Sequence, residues 1–125
     1  MRLHVHPESY AVVRLDPDAE LPAWASAGAF TAATRTQSEL SIVCPEDDVP
    51  PSASAERGWR LLEVAGPLDF SLTGVFASLA APLAEAEVTL FALSTFETDY
   101  LLVRAHQFAH AAAALRDAGH AVASS

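Results

Sequence analysis

The order of secondary-structure signals in the second half of the chain constrains the fold most strongly. A strand-like run over 59–65 is followed, between residues 71 and 86, by apolar residues at helical spacing. These residues form one stripe: Leu72, Val75, Phe76, Leu79 and Leu83. The next predicted elements are strands over 88–93 and 100–103, a helix over 106–118 and a strand over 120–123. The second half therefore has the order β-α-β-β-α-β.

This order is that of the ferredoxin-like fold, in which helices cover a sheet. The first half repeats it more faintly, with strands over 3–6, 10–15, 30–36 and 39–45, a turn at Pro7-Glu8-Ser9, and short helices over 18–25 and 52–57. We predict an α+β fold of two ferredoxin-like units with antiparallel sheets and helices on one face. The predicted domains are 1–58 and 59–125, and the unit that owns Trp59–Ala65 is left open.

Pro82 lies inside the first strongly marked helix. Proline lacks a backbone N–H, so it leaves the carbonyl four residues earlier without its helical donor. We expect a kink or a reset last turn, unless the Ser78 hydroxyl helps to satisfy the freed carbonyl.

Composition excludes several functions. The net charge of −9 opposes nonspecific nucleic-acid binding, because neutralising phosphates requires clustered cations. No apolar run approaches the ~18 residues that a membrane span needs, and the N-terminus lacks a signal-peptide core. The single cysteine, Cys44, rules out an intramolecular disulfide, and we expect it to be a small buried residue rather than a nucleophile. These features predict a cytoplasmic protein without membrane or nucleic-acid partners.

Polar groups gather in two segments, 66–75 and 94–100. The first leads into a helix, whose first-turn amides can hold a carboxylate without a basic side chain. Asp69 could accept an ammonium group from a ligand. Alternatively, Asp69 or Ser71 could cap the helix. The Asp99 carboxylate suits a cationic ligand side chain, or it could hydrogen-bond the backbone of the turn, residues 95–98. The Phe96 ring could pack against the protein or stack on a ligand. A basic amino acid is the first ligand hypothesis.

The stretch GPLDFSLTGVFASLAAPLAEAEVTLFALSTFETDYLLV (66–103) resembles the second module of paired ACT domains. TQSELSIV (36–43) is similar to a strand pair of the same proteins, which include CASTOR-type arginine sensors and the regulatory part of aspartate kinases. The resemblance implies an amino-acid sensing or regulatory module that is not an enzyme and needs no cofactor. It also implies a ligand between two ACT units, and a regulated protein partner as a further option. Half-buried sheet edges in such small units favour pairing, so we also expect a homodimer.

Carried over by motif, the ligand-binding candidates are Asp69, Ser71, Leu72, Thr73 and Gly74 at the helix start, Thr95, Phe96 and Asp99 in the turn, and Ser41 and Ile42 on a facing strand. Glu87 stands where the family usually has glycine, so a charged residue occupies a position that should tolerate left-handed geometry.

Two alternatives remain open. One is a dimerisation module without a ligand, which Glu87 and the faint first half favour. The other is a small metal-dependent enzyme that uses His106 and His110, which lie four residues apart. The glutamate of the HExxH motif is missing between these histidines, and we expect their face to lie in solvent.

Overall fold

The structure, a computed structural model, describes residues 1–69 and 73–124. Within this range the chain forms seven strands and two α-helices. The strands are β1 (Arg2–Leu15), β2 (Ala32–Arg35), β3 (Leu40–Pro45), β4 (Ala55–Val64), β5 (Leu90–Ser94), β6 (Asp99–Arg104) and β7 (Ala121–Ser124). The helices are α1 (Val75–Glu85) and α2 (Phe108–Asp117). None of the helices in these two ranges combines the length and apolarity that crossing a membrane requires.

The residues group into two compact units. The N-terminal unit spans Glu8–Trp59, and the C-terminal unit contains Met1–Pro7 together with the chain from Arg60 onward. Strands β1 and β4 thus contribute residues to both. The domains predicted from the sequence, 1–58 and 59–125, stay a prediction.

The C-terminal unit has the strand order β5-β6-β4-β1-β7. The pair β5–β6 is antiparallel, from Leu90 opposite Val103 to Ser94 opposite Asp99. The pair β1–β7 is parallel, with Arg2 opposite Ala121. The predicted antiparallel sheet is thus observed with one parallel pair added at its edge, where the first residues of the chain pair with the last strand.

Both helices cover one face of this sheet. The core combines Leu3, Val5, Leu62, Val64, Leu101 and Val103 from the strands with Leu79, Leu83, Ala111, Ala112 and Leu115 from the helices. The strand residues alternate along each strand, so they share a face. Of the stripe predicted for α1, Val75, Leu79 and Leu83 meet this face, whereas Phe76 is largely exposed. Leu72 lies outside the described residues.

The N-terminal unit is built on antiparallel pairing of β3 with β1 and with β2. Its core consists of Ala11, Val13, Ala25, Leu40, Ile42, Cys44 and Val49. Two short 3-10 turns, Ala23–Ser26 and Glu46–Asp48, stand in place of α-helices. The α+β class is thus observed, with its α-helices in the C-terminal unit.

Three predictions for the first half are wrong. Strand β1 runs without a turn through Pro7-Glu8-Ser9. The helix predicted over 52–57 is absent, because β4 already begins at Ala55. The helix predicted over 18–25 is reduced to the turn Ala23–Ser26.

A specific contact explains the missing helix at 18–25. The Arg35 guanidinium donates to the carbonyl oxygens of Pro17 and Ala19, the latter at 2.8 Å. These carbonyls are bound across the unit rather than by helical amides, so the segment is held as a loop.

Helix α1 accommodates Pro82 in its interior and continues to Glu85. The carbonyl that Pro82 frees is that of Ser78, and its oxygen lies 2.9 Å from His120 Nε2. The Ser78 hydroxyl instead donates to the Val75 carbonyl oxygen at 2.7 Å. The proline is therefore compensated by a histidine, and the predicted role of the Ser78 hydroxyl is wrong.

Candidate functional site

A cleft of about 220 Å³ opens in the C-terminal unit between the segment before α1 and the turn that joins β5 to β6. Its lining residues among those described are Leu68, Asp69, Val75, Ser94, Thr95, Phe96, Glu97, Thr98 and Asp99. The two polar segments singled out in the sequence thus meet at one place.

The turn is rigidified by its own side chains. The Thr95 amide donates to the Thr98 carbonyl oxygen at 2.9 Å, which closes the hairpin. The Ser94 hydroxyl donates to Asp99 Oδ1 at 2.7 Å and fixes that carboxylate at the mouth of the turn. The Asp99 carboxylate thus takes part in the turn through the Ser94 hydroxyl, whereas the sequence alternative had it bonded to the backbone of residues 95–98.

Thr98 fastens the turn to the sheet. It is the buried polar residue of the turn, 6% exposed, and its hydroxyl donates to the Val64 carbonyl oxygen at 2.7 Å. The Leu68 amide donates to the Glu97 carbonyl oxygen at 2.7 Å. Gly66 allows this approach, since a Cβ there would lie 3.1 Å from Thr98 Cβ. Hydrogen bonds therefore fix the turn to β4 and to the segment before α1.

The other wall leads into the start of α1. Gly74 is the N-cap residue, with φ 77°, and no side-chain hydrogen bond caps the helix there. The Ser78 amide donates to the Gly74 carbonyl oxygen at 2.9 Å, so the amides of residues 75–77 precede the first intrahelical bond. A Cβ on Gly74 would meet no atom within 4 Å, so a ligand can approach this backbone. Asp69 is not the N-cap, which corrects that alternative.

The cleft is rich in carboxylates. Asp69, Glu97 and Asp99 are among its lining residues, and no basic residue belongs to the described lining. Burial, followed by the charges of Glu63 and Glu97, raises the pKa of the neighbouring Tyr100 and keeps its hydroxyl protonated. Such a lining attracts cationic groups.

The structure brings together four of the predicted ligand residues: Asp69, Thr95, Phe96 and Asp99. Thr73 and Gly74 are exposed just before α1, while Ser71 and Leu72 lie outside the described residues. The sequence reasoning did not select Leu68, Val75, Ser94, Glu97 and Thr98 as lining residues. All five fall within the two polar segments, so proximity in sequence to Asp69 and Asp99 was the signal available for them.

Ser41 and Ile42, predicted for a facing wall, belong to β3 of the N-terminal unit. The Ile42 side chain is fully buried in that unit's core. Ser41 is half-buried and lines a separate cleft of the same unit. A ligand role for these two residues stays a prediction.

The histidine pair does not form a metal centre in the described part of the chain. His110 Nε2 lies 3.0 Å from the Ala86 carbonyl oxygen, and His106 belongs to the short 3-10 turn before α2. In residues 1–69 and 73–124 no group of three His, Cys, Asp or Glu residues is placed to hold a metal ion. Cys44 is buried, as expected, and burial together with the Asp48 charge raises the pKa of its thiol to about 11.

Comparison with known sequences and structures decides the family. The profile described as the ACT domain matches residues 54–117, which is more than half of the chain. The chain belongs to the ACT domain family. A second profile, for an N-terminal domain, matches residues 8–52.

Two solved structures share the fold of this chain. The crystal structure of protein Atu0741 from Agrobacterium tumefaciens superposes with a TM-score of 0.94 at 37% identity, covering 99% of this chain and 92% of that one. The ligand-free regulatory subunit of aspartate kinase from Thermus thermophilus gives a TM-score of 0.61 at 13% identity over 90% of this chain and 93% of that subunit, which shows a shared fold.

A curated relative is the cytosolic arginine sensor for mTORC1 subunit 1 of Bos taurus, 36% identical over 84 residues. The match covers 60% of this chain and 25% of the sensor, so the chain spans about a quarter of that protein's length.

Proposed function

We propose that this chain is an amino-acid-binding regulatory module without catalysis of its own, and that its ligand occupies the cleft at residues 68–75 and 94–99. ACT homologues sense amino acids and regulate other proteins, as the names of the bovine arginine sensor and the aspartate kinase regulatory subunit state. The observation that carries the proposal is the cleft itself, where three carboxylates stand beside the open start of a helix. By analogy with the cytosolic relative, we propose the cytoplasm as its location.

The ligand's own charges can be matched to this lining. Its carboxylate would bind the first-turn amides of α1, where the helix dipole favours an anion. Its ammonium group would pair with Asp69. Its side chain would extend toward Thr95 and Asp99, so a cationic end would meet the carboxylate that Ser94 holds in place. The proposed ligand is therefore a basic amino acid, with arginine as the first candidate because guanidinium binds a carboxylate through two hydrogen bonds.

We further propose that the cleft is completed by an ACT unit of a second copy of the chain. Phe96 lines the cleft and is 79% exposed, and Phe76 in the first turn of α1 is 45% exposed. Two exposed aromatic side chains beside a polar cleft are typical of a surface that becomes covered on association. A homodimer whose ligand lies at an ACT–ACT interface would cover both aromatic side chains and complete the cleft.

Isothermal titration calorimetry with each of the twenty amino acids tests the proposal. We expect heat with arginine or lysine, and an affinity at least tenfold lower in Asp99→Asn, which removes the charge and retains an acceptor for Ser94. Asp117→Asn is the matched control, because it removes the same charge from an exposed position of α2 outside this cleft. Its affinity should equal that of the wild type.

Two results would overturn this assignment. Heat only with apolar amino acids would exclude the cationic ligand. No heat with any amino acid, from protein shown to be folded, would favour the alternative of a dimerisation module that has lost its ligand.

A further inference from the structure

A second opening of the C-terminal unit lies between the carboxyl-terminal ends of α1 and α2. Its volume is about 350 Å³, and its described lining consists of Pro82, Glu85, Ala86, Ala114, Asp117 and Ala118. None of these residues belongs to the described lining of the ligand cleft at residues 68–75 and 94–99. This helix-end groove combines small apolar side chains with two carboxylates.

Contacts between the two helices hold the walls of the helix-end groove in place. His110 Nε2 of α2 lies 3.0 Å from the Ala86 carbonyl oxygen at the end of α1. Gln107 Nε2, just before α2, donates to the Glu87 carbonyl oxygen at 3.4 Å. The apolar side chains of the described lining are alanine and proline, which are too short to fill the groove. A partner therefore meets a preformed groove and binds without the entropic cost of ordering its walls.

The electrostatic potential of the helix-end groove is negative. Both helices end here, and the C-terminus of a helix carries a negative partial charge of roughly half an elementary charge. Glu85 and Asp117 are exposed. Arg116, the basic residue in the last turn of α2, donates through Nη2 to the Val122 carbonyl oxygen at 2.9 Å and is not part of the described lining. A partner's cation would therefore meet two carboxylates that no cation of the described lining neutralises.

Charge decides which class of partner the helix-end groove accepts. Nucleic acids and anionic membranes are repelled by two carboxylates on a chain of net charge −9. A second copy that docked through the same groove would place its own Glu85 and Asp117 against those of the first. Like charges that face each other oppose association. The charge thus favours a different, positively charged protein.

The shape of the groove favours a helix as the docking segment. A groove between two packed helices accepts the ridge of side chains on a third helix, and alanine walls let that helix approach closely. Amphipathic helices bind apolar grooves through side chains at positions i, i+3, i+4 and i+7. Basic side chains that flank this apolar row lie within reach of carboxylates at the groove.

From this arrangement we infer that the helix-end groove binds a basic amphipathic helix of a partner protein. The apolar row of that helix contacts Pro82, Ala86 and Ala114. Its arginine or lysine side chains pair with Glu85 and Asp117. The inference rests on the proposed function in one respect, since a regulatory module must contact the protein that it regulates, and it assigns that contact to a surface outside the ligand cleft.

A titration of the ¹⁵N-labelled full-length chain with a synthetic peptide tests the inference. The probe is a helical peptide of about 15 residues, with leucine at i and i+4 spacing and arginine on both flanks of that row. We expect saturable shifts of the amides of residues 83–87 and 113–119. A peptide with glutamate in place of each arginine should bind at least tenfold more weakly, because its charges repel Glu85 and Asp117.

Substitutions at the groove should weaken binding of the arginine peptide. The double variant Glu85→Gln/Asp117→Asn should raise the dissociation constant about tenfold, because two ion pairs are lost. Ala118→Arg should abolish saturable binding, since it adds bulk and a cation at an exposed position of the lining. The dispersion of each variant's amide spectrum shows whether it is folded.

Two controls separate the groove from general attraction and from the ligand cleft. Asp18→Asn/Glu20→Gln removes the same two charges from exposed positions of the N-terminal unit and should leave the dissociation constant of the peptide unchanged. Asp99→Asn, in the ligand cleft, should also leave it unchanged. The peptide titration contains no amino acid and is read at amides outside the ligand cleft, so its result is distinguishable from a failure of the proposed ligand.

Four outcomes would overturn the inference. One is the absence of saturable shifts at residues 83–87 and 113–119 with the arginine peptide at millimolar concentration. Another is equal affinity for the glutamate peptide. A third is wild-type affinity in the folded Glu85→Gln/Asp117→Asn variant. The last is equal weakening in the control Asp18→Asn/Glu20→Gln, which would indicate attraction to the acidic chain as a whole.

Discussion

Glu87 has a backbone conformation that is unfavourable for any residue with a Cβ. Its φ of 59° is left-handed, a conformation that costs a residue with a Cβ on the order of 1 kcal/mol relative to glycine. The neighbouring chain is bound by α2 and the turn before it: His110 Nε2 lies 3.0 Å from the Ala86 carbonyl oxygen, and Gln107 Oε1 accepts from the Thr89 amide at 3.3 Å. The strain is therefore maintained by contacts from outside the turn.

Replacing Glu87 by glycine should stabilise the fold. We expect Glu87→Gly to raise the free energy of unfolding by about 1 kcal/mol in urea denaturation, because the left-handed conformation then has no steric cost. Glu87→Ala is the control, since it removes the charge but keeps the Cβ, and it should give no such gain. Equal stability of the two variants would contradict the strain explanation.

Two buried ionisable side chains of the N-terminal unit set its behaviour at alkaline pH. Burial raises the pKa of the Cys44 thiol from 9.0 to about 11, with a further contribution from the Asp48 charge. Burial, with the Glu8 charge, raises the pKa of Tyr10 from 10.0 to about 12. In the unfolded chain both groups ionise at lower pH, so the folded state binds more protons between these values.

The contribution of these two groups to stability should therefore be fully present below about pH 9 and should be lost as the pH rises through 9–11 and on toward 12. Urea unfolding followed by circular dichroism at a series of pH values measures this loss. Cys44→Ala removes the thiol and should flatten the part between pH 9 and 11. Parallel curves for wild type and Cys44→Ala would show that the thiol does not contribute.

At the scale of elements, α1 shows how a helix tolerates an internal proline. Pro82 cannot donate to the Ser78 carbonyl oxygen, and His120, just before β7, supplies the contact at 2.9 Å. The sequence alone predicts a kink at this proline. A residue outside the helix instead supplies the missing contact to the Ser78 carbonyl oxygen.

A double-mutant cycle measures this compensation. His120→Ala should lower the free energy of unfolding by about 0.5–1.5 kcal/mol in the presence of Pro82, because the hydrogen bond to the exposed Ser78 carbonyl oxygen is lost. In the Pro82→Ala background the backbone amide of residue 82 replaces the histidine, so the same change should cost about 1 kcal/mol less. The contact between His120 and the N-terminus is lost in both backgrounds and cancels. An equal loss in the two backgrounds would contradict the compensation.

Local sequence signals predicted the elements of the two units unequally. Apolar spacing located α1 and α2, because both bury a stripe against a sheet. Turn chemistry at Pro7-Glu8-Ser9 predicted a break that β1 does not have, since strand pairing on either side of this segment outweighs a local preference.

Only part of the candidate site could be predicted from the sequence. Asp69, Thr95, Phe96 and Asp99 were found from residue type near a helix start and a hairpin turn. The contributions of Ser94 and Thr98 depend on hydrogen bonds to Asp99 and to the Val64 carbonyl, which only the folded chain brings within reach.

At the scale of the whole molecule, an ACT-family chain with a net charge of −9 carries a carboxylate-lined cleft beside an uncapped helix start. Acidic composition alone indicates only a solvated surface. We propose that the placement of Asp69 and Asp99 around one opening gives that charge a specific consequence, which is selection for a cationic amino acid.

The most direct test is an NMR titration of the ¹⁵N-labelled chain with L-arginine, with the amides of residues 75–77 and 94–99 as reporters. We predict saturable shifts at both groups in the wild type and their weakening by at least tenfold in Asp99→Asn. Unchanged amides at saturating L-arginine, or shifts confined to other parts of the chain, would contradict the account.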